Sequence, residues 1–260
     1  SVMLTTAQKA SRWEEIVDQL CAKCWSIRHE LEAVERFPPA EVVRRALALG
    51  KHPIVIGDGA DATNSGSPGD STCLLRELLA APKIPHGAIT FMVDPIAVAE
   101  ASRLGVGSPF DFEIGGRLAP EYSSPARVRG VVEKLQNVEW ILSGHISKNL
   151  PVNMGRGAIV RSGDVQILLV ERGGPGSSPR LYEAVGLDPR TCGIVVAKSP
   201  SGFRADYDPF VAGTFLVDCP GCASPHWDEM NFDKITRPLW PKNSLASPND
   251  ANWCDGGWVR

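Results

Sequence analysis

Apolar residues along this chain follow two rhythms. Trp13, Ile16, Val17, Leu20, Cys24, Ile27, Leu31 and Val34 recur at steps of three and four. That is the spacing of one buried helical face, and it predicts a long amphipathic helix over 13–34. Phe37-Pro38-Pro39 stops it, and Val42, Val43, Ala46 and Leu47 mark a shorter helix over 40–49. Ile54, Val55 and Ile56 then form a continuous apolar run of the buried-strand type. Small and polar residues follow over 57–69. A helix is expected to open at about Asp70, with Leu74, Leu75, Leu78 and Leu79 on its inner face. A second core strand is expected over 88–93, and a helix over 95–104 ending at Gly105.

The middle of the chain reads differently. Strands are expected over 110–118, 138–142, 157–161 and 165–171. Ser162-Gly163-Asp164 between the last two predicts an antiparallel hairpin. Residues 172–179 are a Gly/Pro/Ser loop and 180–185 a short helix. Strands over 193–197 and 213–217 flank a polar segment over 198–210. Strands alternating with helices predict an α/β fold: a mixed sheet with helices on its faces and an antiparallel hairpin in mid-chain. Residues 244–260, rich in Pro, Asn, Asp and Gly with Trp253 and Trp258, read as a tail.

Composition narrows the function classes. The chain has 260 residues, 43% hydrophobic and 22% charged, which suits a globular protein with a sizeable core. A net charge of −3 leaves no electrostatic footprint for nucleic acid or an anionic membrane. No apolar run approaches the ~20 residues needed to span a bilayer. Seven cysteines, odd in number and without framework spacing, suit reduced thiols and a cytoplasmic location. Self-association is expected if an apolar face is left uncovered.

Candidate chemistry gathers where strands end. Residues 54–79 form a strand, a small-residue loop and a helix N-terminus, a common ligand cradle. This cradle carries Asp58, Asp61 and Asp70. Three carboxylates disfavour an anionic ligand and favour a cation, an amine or a hydrogen-bonding polar substrate. Asp58 and Asp61 stand at the strand end where open sheets place ligands, although Asp61 also suits a local turn. Asp70 suits an N-cap. Lys198-Ser199 and Phe203-Arg204 follow another apolar strand. Lys198 and Arg204 there fit either a substrate carboxylate or an internal ion pair with Asp58 or Asp61. Cys219-Pro220-Gly221-Cys222 with His226 has metal-like spacing, with Asp228 or Cys254 as a further ligand, but Pro-Gly is turn chemistry and a turn is the stronger reading. Cys21 and Cys24 read as small core residues. His145 ends an apolar strand and is the one histidine that merits attention. No nucleotide-binding or zinc-protease motif is present, and Ser65-Gly66-Ser67 is not a nucleophile elbow.

Asp58-x-x-Asp61 followed by Gly66-x-Pro68-Gly69-Asp70 resembles the signature of the microcystinase C (MlrC) family of zinc metallopeptidases, in its C-terminal domain. Gly115-Gly116-Arg117, Met154-Gly155, Val196-Ala197-Lys198-Ser199, Phe203-Arg204-Ala205, Val217-Asp218-Cys219-Pro220-Gly221 and Arg237-Pro238-Leu239-Trp240-Pro241 continue the resemblance in the same order. Ala62-Thr63 stands where the family has Asn-Pro, and Gly202 where it often has His.

The resemblance implies a domain over 1–243 followed by the tail at 244–260. It implies a zinc-dependent peptide or amide hydrolase whose zinc ligands lie in an N-terminal domain absent from this chain. No catalytic or metal-binding residue is then expected here, and the isolated chain is expected to be inactive. Asp58, Asp61, Ser65, Ser67, Lys198 and Arg204 are expected to converge on one crevice that binds a peptide or small amide substrate. The rival reading is a free-standing binding or regulatory module for a small polar ligand.

Overall fold

The computed structural model describes residues 12–32, 34–142, 149–226, 230, 232, 234, 238 and 240–245. The chain forms two compact units, one comprising Ser1–Glu35 with His226–Arg260 and the other Arg36–Pro225. In the first, the amphipathic segment forms two helices, α1 (Trp13–Ser26) and α2 (Arg28–Glu32), separated at Ile27. The expected single helix over 13–34 is therefore interrupted. Its face is not a core face either: α1 has no buried residue, and Ile16 and Leu20 are exposed.

The larger unit is α/β. Its elements are α3 (Pro39–Ala48), β1 (Ile54–Asp58), α4 (Cys73–Ala80), β2 (Ala88–Val93), α5 (Pro95–Leu104), β3 (Pro109–Ile114), β4 (Ala126–Ile141), β5 (Pro151–Ser162), β6 (Val165–Val170), α6 (Arg180–Glu183), β7 (Ile194–Ala197), α7 (Arg204–Tyr207) and β8 (Gly213–Val217). Among the described residues these strands make one mixed sheet in the order β3-β4-β5-β6-β2-β7-β1-β8. The β6-β2-β7-β1-β8 half is parallel, and β3 to β6 pair antiparallel. The expected hairpin is β5–β6, closed by Ser162 opposite Val165 with Gly163 in the left-handed region.

Alternation along the parallel strands builds two cores. Ile54 and Ile56 of β1, Ala88 and Met92 of β2, and Ile194 and Val196 of β7 face one side, with Val42, Leu75, Leu78 and Val98 from α3, α4 and α5. Val55, Phe91, Val195 and Ala197 face the other, with Leu181, Tyr182, Phe203 and Tyr207 around α6 and α7. A strand covered on both faces must be apolar throughout, which is why β1, β2 and β7 read as unbroken hydrophobic runs. The Tyr182 hydroxyl, buried with them, donates to the Val196 carbonyl at 2.6 Å.

This double cover brings the C-terminal ends of β1, β2, β6, β7 and β8 to one edge. Packing there is close. A Cβ on Gly57 would lie 2.5 Å from the Phe203 ring and 2.8 Å from Leu216. Gly57→Ala is therefore expected to destabilise the chain by about 1–3 kcal/mol through overpacking. Urea denaturation of the two proteins measures this, and equal midpoints would contradict the close approach.

Candidate functional site

The carboxylates of this edge are buried, and each is engaged by the chain itself. Asp58 ends β1 and Asp61 lies three residues on; both are 2% exposed. Lys198 follows β7, is equally buried, and places its ammonium 2.6 Å from Asp61 Oδ2 and 4.0 Å from Asp58 Oδ2. Asp61 Oδ1 also accepts from the Gly69 N–H and Oδ2 from the Ser71 N–H, both at 2.8 Å. One side chain thus fixes both ends of the loop and its link to β7. Asp58 Oδ1 accepts the Asp61 N–H at 3.2 Å.

The electrostatics of the trio follow from burial. Desolvation raises the Asp58 pKa above the ordinary 3.8, outweighing the pull of the Lys198 charge, and the Asp61 charge adds to the rise. Desolvation alone would lower the Lys198 pKa, but Asp61 and Asp58 together hold it above 10.5. Lys198 is thus a firmly charged cation between two carboxylates, of which Asp61 is its close partner and Asp58 the reluctant anion.

A second set of bonds joins the neighbouring loops. Asp70 does not cap α4; Thr72 holds the N-cap position, and α4 starts at Cys73. The Asp70 carboxylate instead accepts the N–H groups of Arg117 and Leu118, both at 2.8 Å. Its carbonyl accepts the Gly116 N–H at 2.7 Å. Asp94 caps α5 by accepting the Ala97 N–H, and also accepts from Gly115 N–H and the Arg117 guanidinium at 2.6 Å. Gly115 and Gly116 are both left-handed, and a side chain on either would collide with the Asp70 or Ser124 backbone. The Gly-rich loop after β6 joins the assembly too. Gly176 packs on the Phe91 ring and the Lys198 stem, and Thr63 donates to the Gly174 carbonyl.

The six residues expected to converge divide into three groups. Asp58, Asp61 and Lys198 come together. Ser67 is buried in the same loop and donates to the Ala60 carbonyl at 2.9 Å, while Ser65 is exposed at the loop surface. Arg204 lies on α7 with an exposed side chain, 3.8 Å from Asp208. It has no described ion pair with Asp58 or Asp61. Arg117 joins the site through Asp94; its Gly-Gly-Arg context marks it in the sequence, but its tie to two aspartates depends on tertiary structure. His145, Asp228 and Cys254 lie outside the described residues.

Between 61–71, 119–123 and 220–222 lies a notch whose floor includes Asp61 and Asp70 and whose walls include Tyr122 and Cys222. Its volume of about 10 Å³ is at most room for one water. A cavity of about 120 Å³ lies at the opposite edge of the sheet, lined by residues such as His52 and His86. It is the wrong end of the strands for the carboxylates. Among the described residues no group of three His, Cys, Asp or Glu is placed to hold a metal ion. The carboxylates of the edge do not fit that role, because N–H donors and Lys198 already occupy their oxygens. Among the described residues no helix is long and apolar enough to cross a membrane.

Comparison with known proteins gives a consistent relationship. The family model described as MlrC C-terminus matches residues 56–234. Microcystinase C from Sphingomonas sp. is 25% identical over 200 residues, covering 76% of this chain and 38% of that protein. A solved structure from Mesorhizobium sp. BNC1, named "Putative metallopeptidase", superposes with a TM-score of 0.74 at 21% identity, covering 89% of this chain and 46% of that one. The chain therefore spans less than half the length of either.

The two aspartates should respond differently to loss of charge. Asp61→Asn leaves a buried ammonium without its close partner, at an expected cost of about 3–5 kcal/mol. Asp58→Asn keeps an oxygen for the Asp61 N–H and removes a carboxylate that resists ionisation, so its cost should be within about 1 kcal/mol. Because the folded Asp58 pKa is raised, the native state binds the proton more tightly than the unfolded chain. Its contribution favours the fold at low pH and is lost as pH rises from about 3.8 through the raised folded value. The stability of Asp58→Asn relative to the parent should therefore improve across that window. Urea midpoints measured between pH 4 and 7 test both statements, and equal losses for the two variants would contradict them.

Proposed function

The chain belongs to the MlrC C-terminus family, and from that membership we propose that it is the substrate-binding, active-site-completing part of a zinc-dependent peptide or amide hydrolase. In this reading the zinc ligands come from protein outside the chain. Zinc, when bound there, would polarise the scissile carbonyl and activate water. The residues of this chain bind and orient the substrate and exclude water from it.

The observation that carries the proposal is the mismatch between how firmly the edge is built and how little its described residues enclose. Four buried aspartates, Lys198 and Arg117 hold three loops in fixed relation. Such rigidity is what a positioning surface needs, since small displacements of a bound substrate cost orders of magnitude in rate. Yet the notch at its centre cannot admit a peptide side chain. A rigid, polar, shallow surface suits one wall of a site whose other wall lies elsewhere. A free-standing ligand-binding module would need an enclosing pocket at this edge, and the notch lined by described residues there is not one. The roles then divide: Asp58, Asp61 and Lys198 position the loop, while Ser65, the Leu118 side chain and Tyr122 meet the substrate.

The decisive comparison is the 260-residue chain against a longer version carrying the remaining length of its relatives. The longer protein should bind zinc and hydrolyse peptide amides; the chain alone should do neither, and metal-dependent turnover by the chain alone would refute the division of labour. In the longer protein Tyr122→Ala should raise KM several-fold and leave the urea midpoint unchanged, because Tyr122 is partly exposed at the notch. An unchanged KM would remove Tyr122 from the substrate surface.

A further inference from the structure

The connection from β3 to β4, residues 115–125, carries the exposed Leu118 and Tyr122 side chains and is mounted on the start of α4. Asp70 holds its incoming part through the N–H groups of Gly116, Arg117 and Leu118. Two side chains at the start of α4 hold its outgoing part. The buried Thr72 hydroxyl donates to the Ser124 carbonyl at 2.7 Å. Arg76 Nη2 donates to the Ser124 carbonyl at 3.1 Å, the Ser124 hydroxyl at 3.2 Å and the Pro125 carbonyl at 2.6 Å. Its Nε donates to the Thr72 hydroxyl at 3.3 Å. A Cβ on Gly116 would strike the Ser124 carbonyl, so the two ends of the connection lie against each other. Between them the Ala119 carbonyl accepts the Tyr122 and Ser123 N–H groups, and residues 120–122 stay exposed.

We propose that Arg76 is a positioning residue of the substrate surface. It fixes the outgoing end of 115–125 and so sets where Tyr122 stands toward a bound peptide. It acts through Tyr122 and not by contact with the substrate. What that surface binds rests on the hydrolase reading; the clamp itself does not.

The fold closes without this clamp. Sheet pairing already sets Ile114 opposite Ala126 at the base of the connection, and Asp70 and Asp94 hold its incoming half. What Arg76 restrains is the stretch from Ala119 to Pro125. Leu74, Leu75 and Leu78 of α4 enter the core, whereas Arg76 is exposed. The side-chain type suits the task. A guanidinium presents its N–H groups in a rigid plane, so one residue spans from Thr72 to Pro125. A lysine ammonium is a point donor on a flexible stem and cannot span both. The oxygens that Arg76 meets there are uncharged, so the plane of the donor and not ion pairing decides the fit. The same helix start carries Ser71, whose N–H binds Asp61. The loop after β1 and the 115–125 connection are therefore fixed to one turn of helix, and their separation is set there.

Two measurements test this. In the 260-residue chain, amide hydrogen exchange is followed by mass spectrometry for the parent, Arg76→Ala and Arg76→Lys. Peptides covering 119–124 should exchange about tenfold faster in both variants, and those covering 54–58 and 126–131 should change far less. Parent-like exchange over 119–124 in Arg76→Ala, or its restoration by lysine, would overturn the clamp. Equal acceleration over all three segments would also overturn it, because Arg76 would then be a residue of the fold as a whole. The second measurement is turnover of an internally quenched peptide by the longer protein. Arg76→Ala should raise KM about fivefold and keep kcat within about twofold. Combined with Tyr122→Ala it should be no worse than the worse single variant, since both losses pass through one side chain. Effects on KM that multiply, or a loss confined to kcat, would overturn the positioning role. If the longer protein cleaves no peptide, the hydrolase reading fails and the substrate role of Arg76 falls with it, whatever the exchange shows. Peptide turnover with parent-like KM and exchange in Arg76→Ala would refute Arg76 alone.

Discussion

The loop edge depends on one buried contact, the 2.6 Å pairing of Lys198 with Asp61. Both groups are removed from water, so neither would be tolerated alone. Their union joins residues 137 positions apart and sets the end of β7 against the loop after β1. The remaining lone pairs of Asp61 are taken by the Gly69 and Ser71 N–H groups, which settles where the loop must turn and where α4 can begin. Asp58 adds a second negative charge at 4.0 Å. It helps keep the ammonium charged, while burial raises its own pKa.

The same device recurs outward from this centre. Asp70 and Asp94 each use a carboxylate to collect N–H groups of the 115–118 segment, which would otherwise be unpaired donors in a strained, double-glycine turn. The edge is therefore built by side-chain acceptors standing in for a missing strand partner. This explains a composition that looks wasteful in sequence: several aspartates within a short loop, few of them available to a ligand.

Where a single local pattern decided the structure, the sequence was legible. Residues 88–93 and 95–104 match β2 and α5, because an apolar run buried on both faces and a Pro-initiated, Gly-terminated helix leave little choice. The strand expected over 138–142 is the end of the longer β4, Ala126–Ile141. Its buried Ala126, Val128 and Val132 alternate with exposed Arg127, Arg129 and Val131, and register shifts between Val132 and Lys134 and between Asn137 and Glu139 break the period of two. Only the apolar end near Val138 carried a strand signal. The helix expected at Asp70 begins at Cys73, because Asp70 is committed to a segment 47 residues away. Spacing along a chain cannot show such a partner. The meeting of Lys198 with Asp58 and Asp61 was legible for the complementary reason: opposite charges at two strand ends have a common edge to meet on. Arg204 had no such constraint. Its helix α7 buries Tyr207 and turns the guanidinium outward toward Asp208.

In the proposed reading, an edge whose charges are consumed by its own scaffold must recognise its ligand by other means. Once Asp58, Asp61, Asp70 and Asp94 have accepted their N–H donors, the accessible groups are of another kind: an exposed Asn64-Ser65-Gly66 turn and the exposed side chains of Leu118 and Tyr122. Such a surface offers hydrogen bonds and shape to an uncharged, extended ligand such as a peptide. It offers little Coulombic attraction at long range. In that reading its selectivity would rest on where the loops stand, and that position is held by the buried pair beneath them. A change at Lys198 or Asp61 would alter recognition without touching the ligand, whereas the exposed turn can vary in sequence and retain its place.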